Sequence, residues 1–224
     1  MRRYIFVGPT LHRGLAMKQQ FLLDDFVVLP PAKRGDMQRL LGTSAPSTAV
    51  IVDGYFHLHT LAIGHAELRT ALEQGWTIWG LSSMGAIRAA EMRPHGMRGF
   101  GQVYERYATD PRFRDDEVAL LHQPEPPYQS FSEPLVHLRA LFDAMVHSGV
   151  LAPDRRDELI ATLMPMWFGD RTLEYVTGRL AEITGIEIAR QWVGNIDSYQ
   201  LKSNDLAGFL KFVADGNVSS GPIV

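Results

Sequence analysis

The chain has 224 residues, 46% of them hydrophobic, with 22 Lys and Arg against 25 Asp and Glu and a formal net charge of −3. That size suits one globular domain with a sizeable core, and a near-neutral chain with no basic run offers no electrostatic footprint for nucleic acid. It has no cysteine, which excludes disulfides, thiolate metal sites, iron–sulfur clusters, a cysteine nucleophile and a persulfide relay, and no stretch approaches the roughly 20 apolar residues of a membrane span or resembles a signal peptide. The expectation is a soluble, cytoplasmic protein without a membrane or nucleic-acid partner.

In chain order, Tyr4–Val7, Phe26–Leu29, Ala49–Val52 and Thr77–Leu81 are short apolar runs. They are stopped by Gly8-Pro9, Pro30-Pro31, Asp53-Gly54 and Ser82-Ser83. Such runs suit strands buried on both faces. Between the third and fourth, His65–Gln74 carries Leu68 and Leu72 at i, i+4 and closes at Gly75, a helix between two strands. Strand, helix, strand implies a right-handed parallel crossover, so an α/β unit is expected over about residues 1–95.

From Ser83 onward the pattern is helical: Ala86–Met92, then a glycine-rich loop (Gly96, Gly99, Gly101), then Val103–Ala108. Asp115-Asp116-Glu117 reads as the acidic first turn of a helix to His122, followed by a proline-rich loop. Amphipathic stretches follow at Leu135–His147, Asp154–Leu163, Thr172–Ile183, Ile186–Val193 and Tyr199–Ala214, with a loose tail from Gly216. The fold class is therefore α/β: a small parallel β-sheet unit in the N-terminal part, then a largely helical C-terminal part over about 96–215. No repeat or linker is visible, and a single domain is expected.

The most informative segment is Thr77–Glu91, where a buried strand runs into a helix through Ser82-Ser83-Met84-Gly85. Such a turn lifts a serine oxygen above the carboxyl end of a sheet and leaves the first helical N–H groups, at Met84 and Gly85, to hold an oxyanion. The G-x-S-x-G elbow pattern is not met by either serine, and a helix N-cap is the alternative reading. A nucleophilic serine needs a base. On the last helix Leu206, Phe209, Leu210 and Val213 form one apolar stripe, and Lys202 falls inside it while Lys211 lies opposite. Burial disfavours an ammonium, and a neutral lysine is the base of a Ser–Lys pair. The alternative is a first-turn lysine that snorkels to water or pairs with Asp205.

Other clusters are weaker. Asp53, His57, His59 and His65 match no specific metal signature, and no metal is expected there. Asp115-Asp116-Glu117 suits a helix start better than a Mg²⁺ site. Neither Gly96-x-x-Gly99-x-Gly101 nor Gly8-Pro9-Thr10 is a nucleotide fingerprint, so no cofactor is expected.

Several segments together resemble the TfuA family in order and spacing. They are Val7–Thr10, Pro30–Asp36, Ile51–Phe56, His65–Leu68, Ser82–Glu91, Arg114–Leu120 and Gln200–Asp205. The serine-glycine block is the specific part. In the last segment the family more often has Lys directly after Gln. The resemblance implies a partner of a YcaO enzyme, which activates a peptide backbone amide with ATP, in installing a thioamide. It implies hydrolysis of a thiocarboxylated sulfur-carrier protein of the ThiS type by a Ser–Lys pair, releasing sulfide, and help in engaging the substrate peptide. Ser83 is favoured over Ser82 as the nucleophile because Ser-Met-Gly resembles the turn of ClpP-type serine proteases. Gly8, Asp53, Gly54 and Gly80, at strand ends, are candidates to line a slot for the carrier's tail, with Arg88 a substrate-binding candidate or an ordinary ion pair to Glu91. Two other readings compete: a non-catalytic adaptor for YcaO and its peptide, and a serine hydrolase of small esters or peptides.

Overall fold

The structure, a computed structural model, describes residues 2–14, 22–56 and 60–217. His57 and His59 of the histidine cluster lie outside the described residues, as does the tail beyond Asn217. By contact the chain divides into two compact units: residues 1–113 together with 202–224, and residues 114–201.

In the first unit the strands are β1 (Arg3–Phe6), β2 (Phe26–Leu29), β3 (Thr48–Ile51), β4 (Thr77–Leu81) and β5 (Arg98–Phe100). They form one sheet in the order β2-β1-β3-β4-β5, every pairing parallel. Strand residues alternate between the two faces. Tyr4, Phe6, Ala49, Ile51 and Ile78 point to one face, where they pack with α2 (Asp36–Thr43), α3 (His65–Glu73) and α4 (Met84–Met92). Ile5, Val7, Val50, Val52, Trp79 and Leu81 point to the other. There they meet Leu11 of α1 (Pro9–Gly14) and, from α10 (Leu201–Ala214), Leu206, Phe209, Leu210 and Val213. The apolar stripe read in the sequence is thus the one that covers the sheet's second face, and the last helix joins the α/β unit rather than the helical part.

All four expected strands are present, shifted by one residue in β1 and β3. The fifth is an addition to them. Residues Arg98–Phe100, expected as a glycine-rich loop, pair with Trp79–Leu81. Gly96 and Gly101 do adopt left-handed φ of 92° and supply the loop signal at each end of this very short strand. Gly99 is required for contact: a Cβ there would lie 2.1 Å from the Tyr104 ring of α5 (Gln102–Thr109).

The second unit is helical, built from α6 (Leu135–His147), α7 (Pro153–Leu163), α8 (Leu173–Thr184) and α9 (Ile186–Gly194) around Leu138, Leu141, Phe142, Leu163 and Leu180. Its polar interior is closed by arginine. Arg171, with 0% exposure, donates to the carbonyls of Asp116, Leu163 and Met166 and to Asp116 Oδ2 at 2.7 Å. Arg139 holds Glu117 through a two-pronged contact. These attachments explain a correction: the expected helix from Asp115 to His122 is only a three-residue 3₁₀ turn, Asp115–Glu117. Beyond it Leu121 N–H donates to Ser132 Oγ and Gln123 N–H to Gln129 O, an extended loop closed on itself.

Two glycines fix how closely α4 lies on the sheet. A Cβ on Gly85 would stand 1.7 Å from Ile51 O, and one on Gly80 would stand 2.0 Å from Gly85 O. Gly85→Ala is expected to cost more than about 3 kcal/mol or abolish folding. Gly42→Ala in α2, with open space around it, is expected to stabilise by about 0.5 kcal/mol. Urea denaturation of the two variants checks this; similar stabilities would contradict the packing argument.

Candidate functional site

In the order 2-1-3-4-5 the chain leaves β1 and β3 in opposite directions, which opens a crevice at the carboxyl ends of these two strands. Asp53, two residues past β3, fills it. Its Oδ2 accepts the Gly8 and Thr10 N–H groups at 2.8 and 3.0 Å, and its Oδ1 accepts the Thr10 hydroxyl at 2.6 Å. The loop after β1 is thereby wrapped around one carboxylate. Gly8 contributes its backbone N–H, and Thr10, whose sequence context marks only a turn, supplies two donors.

Lys202 comes to the same carboxylate from α10. It is 2% exposed, and its Nζ lies 3.9 Å from Asp53 Oδ1. The snorkelling alternative is therefore ruled out, and so is the pairing with Asp205. That carboxylate instead accepts the N–H groups of Gln102 and Val103 at 2.9 Å each, at the start of α5. Two hydroxyls hold the first turn of α10 in place: Ser203 Oγ donates to Thr10 O at 2.9 Å, and Ser82 Oγ donates to Lys202 O at 2.7 Å.

The serine turn follows β4. Ser82 has φ of 64°, a left-handed conformation rarely taken by a residue other than glycine. It makes the strand-to-helix bend sharp, as at a nucleophile elbow. The two hydroxyls have different duties. Ser82 Oγ is engaged by Lys202 O and wholly buried, whereas Ser83, 3% exposed, occupies the N-cap position without a side-chain cap hydrogen bond. Among the described residues the Ser83 hydroxyl has no hydrogen-bond partner. Of the two expected oxyanion donors, Gly85 N–H is engaged by Val52 O at 3.2 Å. The Met84 N–H, at the first helical position, has no hydrogen-bond acceptor among the described residues.

The remaining candidates are placed elsewhere or differently. Gly54 and Gly80 serve close packing: a Cβ on Gly54 would lie 2.7 Å from Met84 Cγ. Arg88 is the ion pair of the alternative reading, Nη1 to Glu91 Oε2 at 2.6 Å, with Nε donating to Ile63 O, and it lines a cavity formed with α2 and α3. No group of acidic residues and histidines among the described residues has the geometry of a metal site, and no described helix is long and apolar enough to cross a membrane.

Sheet order, crevice and serine turn define a doubly wound α/β protein with a polar site at its topological switch point. The TfuA-like protein family model matches residues 53–172, more than half the chain, and the protein belongs to that family. The match takes in Asp53, Gly54 and the whole serine turn but not Gly8 or Lys202. Comparison with curated proteins finds no match.

Asp205 gives the site a pH dependence in stability. Desolvation raises its carboxyl from 3.8 to about 6, against the two backbone donors that lower it. The folded state therefore binds more protons than the unfolded state between about pH 4 and 6, and stability present at the lower value is lost as pH rises through 6. Relative to wild type, Asp205→Asn is expected to gain up to about 3 kcal/mol on going from pH 4 to pH 7. Denaturation at both pH values measures it; a pH-independent difference would refute the assignment.

Proposed function

We propose that this TfuA-like protein is a hydrolase that works beside a YcaO enzyme in peptide backbone thioamidation, cleaving a thiocarboxylated ThiS-type carrier to supply sulfide. The observation that carries the reading is Lys202, buried against Asp53 at the carboxyl ends of the sheet, with its own carbonyl held by the serine turn. A lysine placed in a core against a carboxylate, with its carbonyl held by Ser82, needs a reason, because burying an ammonium is costly.

In this mechanism Ser83 Oγ attacks the carbonyl carbon of the carrier's C-terminal thiocarboxylate, and Lys202 Nζ takes the hydroxyl proton. Met84 N–H stabilises the oxyanion as it forms. The tetrahedral adduct collapses by breaking its C–S bond as Lys202 returns the proton to the departing sulfur, so hydrosulfide leaves, the carrier is acylated on Ser83 and the lysine is neutral again. Water, deprotonated by Lys202, then cleaves the ester and returns an ordinary carboxylate. Hydrosulfide is a far better leaving group than hydroxide, which makes the thio form the substrate. The absence of cysteine fits, since sulfur departs without being carried on this chain. Ser82, with its hydroxyl bonded to Lys202 O, acts as a positioning residue.

Sulfide release from a thiocarboxylated carrier tests this. Ser83→Ala and Lys202→Ala are expected to reduce release at least 100-fold, and Ser82→Ala about tenfold. Collapse with Ser82→Ala alone would transfer the nucleophile to the strained elbow position. No release by folded wild type, with YcaO present, would leave the non-catalytic adaptor.

A further inference from the structure

Three segments singled out in the sequence play no part in the reaction above: Arg34-Gly35, His65–Glu67 and Arg88–Glu91. In the fold they meet around one cavity of about 780 Å³ in the α/β unit, bounded by the starts of α2 and α3 and by the second turn of α4. Arg34, His65, Glu67 and Arg88 supply its polar lining, and Leu41 and Ile63 its apolar part.

Hydrogen-bond balance decides what the cavity can hold. Both carboxylates already accept hydrogen bonds from neighbouring groups. Glu67 accepts the N–H groups of Gly64 at 2.8 Å, Gly35 at 3.0 Å and Met37 at 3.2 Å, so its carboxylate closes the beginnings of two helices. Glu91 Oε2 holds Arg88 Nη1 at 2.6 Å and His65 Nε2 at 2.8 Å. Arg88 is further locked by its Nε–H donated to Ile63 O at 2.9 Å. Arg34 is different. Among the described residues its guanidinium has no ion pair or hydrogen bond, although Nε lies within 3.9 Å of where a Gly64 side chain would begin. The exposed Arg34 thus keeps a planar fork of donors open to a ligand, in a cavity that Arg88, fixed in orientation, also lines.

We infer that this cavity is a binding site for an oxyanion carried on a small apolar body. Arg34 makes the paired contact to the anion, Arg88 adds a fixed donor, and Leu41 with Ile63 covers the apolar portion. A carboxylate and a phosphate monoester present the same chemistry to the two guanidinium groups, and both are matched by a bidentate fork. The site involves neither serine nor Lys202, so it stands independently of the hydrolase reading.

Titration calorimetry with benzoate and with phenyl phosphate, each beside neutral benzyl alcohol, tests the inference. At least one anion is expected to bind while benzyl alcohol does not. Arg34→Gln should weaken that anion at least tenfold, and Ser83→Ala should leave it unchanged. Binding of phenyl phosphate alone assigns a phosphorylated ligand, and binding of benzoate alone a carboxylate. Because Arg88 also supports Ile63, Arg34→Gln at the exposed mouth is the decisive variant. Unchanged affinity in Arg34→Gln, equal binding of benzyl alcohol, or no binding of either anion would overturn the inference. None of these outcomes depends on sulfide release, so this site and the serine site can fail separately.

Discussion

The arrangement at the sheet's carboxyl edge depends on one carboxylate. Asp53 accepts hydrogen bonds from the loop after β1 and faces the ammonium of Lys202. At 3.9 Å the contact with Nζ is longer than a hydrogen bond and is chiefly Coulombic. Buried pairs of this kind contribute little net stability, because desolvation of both charges offsets their attraction; removing one partner nevertheless costs about 3–5 kcal/mol. A pair with that balance is poor material for a core, and its presence at a switch-point crevice is better explained by what it does to the lysine. The loop donors fix Asp53, Asp53 fixes Nζ, and Ser82 fixes the lysine's carbonyl.

The α/β unit has its polar groups on one edge but divides them between two places. On the face covered by α1 and α10, the lysine and carboxylate converge with the serine turn. On the face covered by α2, α3 and α4, Arg34 and Arg88 help to line a separate cavity. The glycines lie between these functions. Gly80 and Gly85 let α4 approach the strands closely enough for the N–H of Gly85 to reach Val52 O, which sets the height of the serine turn above the sheet. Helix placement here follows from missing side chains as much as from apolar contact.

Much of this is legible in the sequence because the signals are local. Continuous apolar runs ending at turn residues mark four of the strands, and the i, i+3, i+4, i+7 stripe on the last helix puts Lys202 on a buried surface by angular position alone. What the sequence hides depends on distant partners. Arg98–Phe100 is a strand because β4 offers it an edge, and two positive-φ glycines disguise it. Asp115–His122 is not a helix because Arg171 and Arg139, 22 or more residues away, take hold of Asp116 and Glu117. The roles of Thr10, Ser203 and Asp205 likewise come from long-range bonds, and spacing carries no sign of them. Glycines at strand ends read as slots for a ligand where three-dimensional contact makes Gly54 and Gly80 packing sites.

The α/β unit is discontinuous: four helices of the second unit interrupt it, and the stripe that covers its second sheet face belongs to α10. During synthesis the sheet strands leave the ribosome about a hundred residues before that cover. Ile5, Val50 and Val52 therefore wait with one face unsealed, while residues 114–201 have a core of their own that can form in the interval. The lysine arrives on the same element that seals the sheet. Completion of the fold and delivery of Lys202 to Asp53 are one event, so a chain truncated before α10 lacks this lysine together with its hydrophobic cover.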